Sequence, residues 1–333
     1  MSASTFRVER PTIAAHRASI AVEPRSGLFG LHHATLTTTV PKELVHRTAV
    51  AEVMLTDWLR EDDTRFRVDA QWPRSHSFFT PVDGEHHDPL MVAETIRQIG
   101  SLLGHAEFGV PFGHQFLLRE FGLTVHPEHL GVRHTPASLD IDVTCTEVKR
   151  RGADLSGLTY ECAVRREGRL VATGRTSFTC ISPSVYERVR PKRVFDVDHR
   201  PLPLTAPMAP QSVGRTSPGD VVLSPIGHAT RWQLRLNTRH PVLFDHPVDH
   251  VPGMLLLEAA RQGAAAALNR SSLLPLGIDG DFKRYAELDE PCFIEAERLR
   301  PASPGQAERV RVTGHQGGDL VFSSVVTAAP DPD

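Results

Sequence analysis

Two stretches of this 333-residue chain carry the same three polar side chains on an apolar background. Glu258, Arg261 and Gln262 sit within PGMLLLEAARQGA (Pro252 to Ala264), and Glu94, Arg97 and Gln98 within DPLMVAETIRQIG (Asp88 to Gly100). Spacing of three and four puts each trio on one face of a helix. Apolar residues around Glu258 cover nearly every other face, which predicts a buried central helix where a charge needs a partner or solvent access. Two chemistries fit. Either Glu and Arg form a local pair that satisfies only itself, or the trio is a reactive face, with a carboxylate for proton transfer and a guanidinium for an anion such as a phosphate. An Arg one turn away lowers the pKa of the Glu and weakens it as a proton donor.

The loop ahead of the second trio, FDHPVDHVPG, adds His246 as a proton-transfer group beside a buried carboxylate. Pro252-Gly253, and Asp88-Pro89 in the first stretch, suit helix starts, whose free N–H groups near Gly253 or Leu90 could hold a carbonyl oxygen. His240, His246 and His250 raise a metal reading. Pro241, Pro247 and Pro252 preclude the regular helix that would aim two of them at one ion, and no cysteine accompanies them, so no metal is expected. His86, His87 and His250 read as loop histidines in water. No phosphate loop, dinucleotide fingerprint or G-x-S-x-G elbow occurs, so no nucleotide cofactor and no serine nucleophile are expected.

The elements that position these residues come in two copies. VHRTAVAEVMLT from Val45 matches VGRTSPGDVVLS from Val213, the two helical stretches follow, and REGRLVATGRTSFT from Arg166 resembles QGGDLVFSSVVTAA from Gln316. Three matches in the same order indicate a duplicated domain. Each copy reads as short strands, a proline-flanked loop, one long helix and further alternating strands, an α+β layout. The expected division is an N-terminal arm over 1–40, a first domain over 41–187, an extended Pro-rich linker over 188–212 and a second domain over 213–330. The cluster Arg188, Arg190, Lys192 and Arg193 in that linker reads as a solvated surface.

Composition narrows the partners. With 37 basic and 40 acidic residues, net charge −3, no bulk field gathers nucleic acid or an anionic membrane. The four cysteines lack a C-x-x-C pair and read as reduced, buried thiols of a cytoplasmic protein. Neither a signal-peptide core nor a long apolar run stands out, so no membrane span is expected.

FDHPVDHVPGMLLLEAARQ resembles the active-site segment of hotdog-fold acyl carrier protein dehydratases, in which a loop His-x-Pro precedes Pro-Gly and a helix reading Glu-Ala-x-Ala-Gln. The resemblance implies an antiparallel sheet wrapped around a central helix, with His246 and Glu258 at the two catalytic positions. Arg261 and Arg97 stand where those dehydratases carry alanine. With VHR at Val45, QWPRSHSFF at Gln71, ETIRQIG at Glu94 and EAARQ at Glu258, the chain is similar to the A-factor biosynthesis hotdog family (AfsA-type), the γ-butyrolactone signal synthases of actinomycetes.

Membership implies a tandem (double) hotdog, an intramolecular pseudo-dimer as monomer or homodimer. It implies transfer of a β-ketoacyl group from acyl carrier protein to the hydroxyl of glycerone phosphate (dihydroxyacetone phosphate), the ester then closing to a butenolide phosphate. In paired hotdogs the loop His of one half faces the helix Glu of the other. His246 is therefore expected to meet Glu94, while Glu258 would face Thr80, and either cleft could be the working one. Arg97 or Arg261 would hold the phosphate, with Gln98, Gln262 and Gly253 also at the substrate. The rival readings are a dehydratase or thioesterase, and a non-catalytic acyl-binding protein.

Overall fold

The computed structural model describes residues 37–190, 200–300 and 306–330. Nearly all of the expected arm, and Lys192 and Arg193 of the basic cluster, lie outside these residues. From Thr39 onward the chain forms one compact unit, built on a single twelve-stranded sheet. Its elements are β1 (Leu55–Arg60), β2 (Arg65–Trp72), α1 (Pro89–Ala106), β3 (Gln115–Val125), β4 (Ala137–Arg151), β5 (Asp154–Arg166), β6 (Arg169–Ile181), α2 (Pro183–Val189), β7 (Leu223–His228), β8 (Arg231–Leu234), α3 (Gly253–Leu268), β9 (Pro275–Phe282), β10 (Cys292–Leu299), β11 (Glu308–Gln316) and β12 (Asp319–Ala328).

Strand order is β1-β2-β4-β5-β6-β3-β9-β12-β11-β10-β8-β7. Read outward from the centre, each side visits its strands in the same succession, so the duplication seen in the sequence is repeated in the topology. The two sides join where β3 pairs antiparallel with β9, from Glu120↔Asp281 to Thr124↔Gly277. Neither of these strands is among the sequence-based expectations. Elsewhere the period-two pattern works as anticipated: in β2, Phe66, Val68, Ala70 and Trp72 point to the core and the residues between them to solvent.

Both long helices are buried. All of α1 from Pro89 to His105 is buried except Arg97, and α3 is buried without a break from Met254 to Ala265. Close approach to the sheet requires glycine at Gly100, where a Cβ would lie 2.7 Å from the Tyr160 hydroxyl oxygen. The helices start differently. Asp88 caps α1, its carboxylate accepting from the Leu90 amide at 2.8 Å, whereas α3 follows Pro252 with no side-chain cap.

The expected linker is partly ordered against the fold. Arg190 is buried rather than solvated, because its guanidinium pairs with Glu287 at 2.5 Å and lies over the Tyr285 ring. Beyond the undescribed stretch, Leu202 and Met208 make backbone bonds to Leu288 and Leu223. The four cysteines are buried, and burial pushes their thiols up to about 12. Among the described residues no helix is long and apolar enough to cross a membrane.

Candidate active site

Glu94 is fully buried on α1 and is gripped by two guanidiniums. Arg47, just after the 3-10 turn Lys42–Val45, donates Nε to Oε1 at 2.9 Å and places Nη2 2.7 Å from Oε2. Arg97 donates Nε to Oε2 at 2.8 Å and Nη2 to Oε1 at 2.7 Å. Burial alone would raise the pKa of Glu94, but Arg47 and Arg97 outweigh it and hold the carboxyl at about 2. Gln98 donates Nε2 to Glu94 Oε1 and to the Glu52 carbonyl, both at 2.7 Å, while its own Oε1 accepts from the Met54 amide at 2.9 Å.

These bonds bear on two of the expected site residues. The oxygens of Glu94 are occupied by Arg47, Arg97 and Gln98, and no hydrogen bond among the described residues joins it to His246. It is an anion that orients two cations, with no proton to give. Gln98 has its amide fully engaged inside the protein.

The network is repeated around Glu258, also fully buried. Arg215 donates Nε and Nη2 to its two oxygens at 2.9 and 2.8 Å, Arg261 does so at 3.0 and 2.6 Å, and the Gln262 amide adds a further bond. The two guanidiniums again overcome burial and hold Glu258 at about 2. Gln262 is otherwise bonded to the Val222 amide and the Asp220 carbonyl. The surroundings differ, however. Asp88 lies 4.0 Å from Arg215, and the space among Asp88, Arg215 and Arg261 is about 10 Å³, at the lower limit for one water. Arg261 therefore faces a closed cleft, which the carboxyl that caps α1 also lines. Thr80, opposite in the expected pairing, is bonded to the His76 carbonyl instead.

The other cleft is open. A cavity of about 660 Å³ has His46, Arg47, Arg97, Asp245 and His246 at its polar end, and Phe116, Leu118, Phe121, Phe178 and Leu257 among its apolar walls. Gly253 and Met254, at the uncapped start of α3, also line it. The Leu90 amide, by contrast, is taken by Asp88. His246 is 42 % exposed at its side chain, with Nδ1 3.6 Å from Asp245. Burial lowers its pKa, with Asp245 acting in the opposite direction.

Residues from both copies build this site. Asp245 accepts from the amides of Thr48 at 2.5 Å and Ala49 at 3.1 Å, and Arg47 Nη1 donates to the Val242 carbonyl at 3.0 Å. The loop that carries His246 is thus fastened to the segment that carries His46 and Arg47. Arg47, Arg215 and His46 were missed as site residues, although the shared V-x-R-T pattern contained the arginines.

His240, His250 and His87 are tied into the fold, His250 while also lining the cavity. His240 Nδ1 accepts from the Val242 and Leu243 amides at 3.2 and 3.0 Å, and Nε2 lies 3.1 Å from Asp220. His250 bonds Asp249 at 2.7 Å. His87 is buried against Trp72 rather than set in water. Among the described residues no three His, Cys, Asp or Glu side chains converge as a metal site would require.

Comparison with known proteins agrees with this architecture. The A-factor biosynthesis hotdog domain (AfsA) matches twice, over residues 31–182 and 197–330. Curated proteins called 2-oxo-3-(phosphooxy)propyl 3-oxoalkanoate synthase are similar over most of their length. The one from Streptomyces virginiae is 53% identical, covering 87% of this chain and 98% of that protein. The one from Streptomyces coelicolor is 44% identical over 86% of this chain and 91% of that protein. Among solved structures, the 12:0-ACP thioesterase from Umbellularia californica aligns with a TM-score of 0.50 at 11% identity, over 80% of this chain and 94% of that one. An oleoyl thioesterase from Lactobacillus plantarum does so with 0.50 at 10%, over 82% and 99%. At such identity they speak to the fold alone. The chain belongs to the A-factor biosynthesis hotdog (AfsA) family.

Proposed function

We propose that the chain is a tandem hotdog, with halves over 41–187 and 213–330, whose one open cleft transfers a β-ketoacyl group from acyl carrier protein to the hydroxyl of glycerone phosphate. The relatives' shared name, a phosphooxypropyl oxoalkanoate synthase, describes the ester that such a transfer makes. The observation that carries the reading is the Arg47–Arg97 pair. Two guanidiniums share one carboxylate at this end of the cavity, and Arg97, the partly exposed one, lines the space an anion would enter. Asp245, the next carboxylate, directs its oxygens to the amides of Thr48 and Ala49.

In this reading the phosphate binds Arg97, the more exposed of the pair, with Arg47 behind it. The acyl chain lies along Phe116, Leu118 and Phe178. The thioester carbonyl points to the amides at the start of α3, near Gly253, where developing negative charge is stabilised. The acceptor oxygen attacks the carbonyl carbon, the C–S bond breaks, and the hydroxyl proton ends on the carrier thiol. Holding both substrates in one cavity removes the cost of their encounter. Two histidines, His46 and His246, stand where that proton is passed. A carrier-bound acyl group and a sugar phosphate as substrates support a cytoplasmic protein, and the residues of the cleft all come from one chain.

The test is incubation of the purified protein with β-ketoacyl carrier protein, with and without glycerone phosphate, followed by mass spectrometry. The ester or its butenolide phosphate is expected only with the acceptor. Loss of the acyl group without acceptor would indicate a thioesterase or dehydratase, and no turnover a binding protein.

A further inference from the structure

His46 has a left-handed backbone, φ 53°, where the aligned residue of the second copy is Gly214 at φ 66°. Both end a short 3-10 turn, Lys42–Val45 and Pro210–Val213. A residue with a side chain adopts this conformation at a cost, and such residues cluster at functional sites. The closed cleft has the glycine and the open cleft has the histidine, so the strained side chain stands where the cavity is.

The hydrogen bonds around His46 define its tautomer. His105 Nδ1 lies 2.6 Å from the Val110 carbonyl, which can only accept, so that nitrogen carries a proton. Burial lowers the pKa of His105, so the ring is neutral and its Nε2 is a lone pair. His46 Nε2, 2.7 Å away, is then the donor, and His46 Nδ1 is left with its lone pair. That nitrogen has no partner among the described residues, and the ring lines the cavity beside Arg97.

We propose that His46 is the general base of the transfer, its Nδ1 accepting the proton of the acceptor hydroxyl. This inference rests on the acyl-transfer reading above. As the oxygen–carbonyl bond forms, the proton moves to Nδ1; as the C–S bond breaks, the same proton passes from Nδ1 to the departing sulfur. His105 is the positioning residue, handing the Val110 anchor on to the ring. The groups facing His46 are Arg97 and His105 from α1, His246 and Asp245 from the loop before α3, its neighbour Arg47, and Phe116 from β3 edge-on at 5.0 Å. Burial, and then His105 and Arg97, lower the pKa of His46 to about 3. A phosphate on Arg97 offsets the part of this lowering that comes from that guanidinium.

The experiment compares wild type, His46→Gly and His246→Gln in the transfer assay. His46→Gly copies the second half at a backbone suited to glycine, which offsets the lost bond to His105, so its Tm is expected to stay close to that of wild type. Its kcat should fall by about 100-fold or more, with the KM for glycerone phosphate changed less than about threefold, and added imidazole should restore part of the rate. A kcat for His46→Gly within about threefold of wild type, with His246→Gln inactive, would overturn the assignment and give the role to His246. Absence of transfer by the wild-type protein would remove the acyl-transfer reading and this base with it, whereas retention by His46→Gly removes the base alone.

Discussion

Asp88 stands 4.0 Å from Arg215 in the closed cleft, and the residues aligned with this pair across the repeat are Pro252 and Arg47 in the open one. In the closed cleft the carboxyl stands against the guanidinium, whereas in the open one Asp245 turns its oxygens to the Thr48 and Ala49 amides and Arg97 lines the cavity. Both copies keep the glutamate–arginine network, and among the described residues the wide cavity lies at the Glu94 one.

Pro252→Asp should convert the open cleft towards the closed one. The new carboxylate can cap α3 as Asp88 caps α1, so the fold is expected to hold or gain stability. The KM for glycerone phosphate should rise by about tenfold or more, since an internal anion now competes at the guanidiniums. Thermal melts and acceptor titrations check both halves of this expectation. An unchanged KM would detach the phosphate from this end of the cavity.

Glu94 and Glu258 are held at about 2, below the 4.5 of a free glutamate. The folded state then binds fewer protons than the unfolded state between these values, so stability rises with pH across the window. It is complete above about 4.5 and is lost as pH falls towards 2. Glu94→Gln leaves two guanidiniums without their anion, at a cost of roughly 3–5 kcal/mol at neutral pH, and should flatten the acid slope. Denaturant melts from pH 2 to 7 test it, and wild-type stability with an unaltered slope would show the network to be inconsequential.

Acyl selectivity should follow the apolar wall. Leu118 lines the cavity and lies against the start of α3, where a Cβ on Gly253 would be 3.3 Å from its Cδ2. Leu118→Trp fills space and should shift preference to shorter β-ketoacyl chains in a competition between two chain lengths. Equal use of both chains, as in wild type, would place the acyl group elsewhere.

How far the sequence reaches can be judged on particular residues. The two central helices, the duplicated Glu-x-x-Arg-Gln and the flanking strands were legible because burial imposes periods of 3.6 and 2 on their residues. Strands β3 and β9 were not, since Arg119 and Glu120 interrupt the first at a register shift and Gly277, Asp279, Gly280 and Asp281 dilute the second. Glu94 read as a reactive acid because type and spacing do not reveal that Arg47, far away in the chain, meets its carboxylate. The inequality of the clefts depends on Asp88 against Pro252, a difference whose meaning appears only once Arg215 is placed beside it. Gln98 and Gln262 looked like ligands for a similar reason: besides the glutamates, their partners are backbone groups, which side-chain types do not encode.

The central claim is that the acceptor phosphate binds at the Arg97 end of the open cavity. Its most direct measurement is the KM for glycerone phosphate in Arg97→Gln and Arg261→Gln, side by side with melting temperatures. Loss of one charged hydrogen-bond donor predicts a KM raised by roughly 10- to 100-fold in Arg97→Gln. Arg261→Gln should lower stability with the KM nearly unchanged. A raised KM in Arg261→Gln with an unaffected Arg97→Gln would contradict the account.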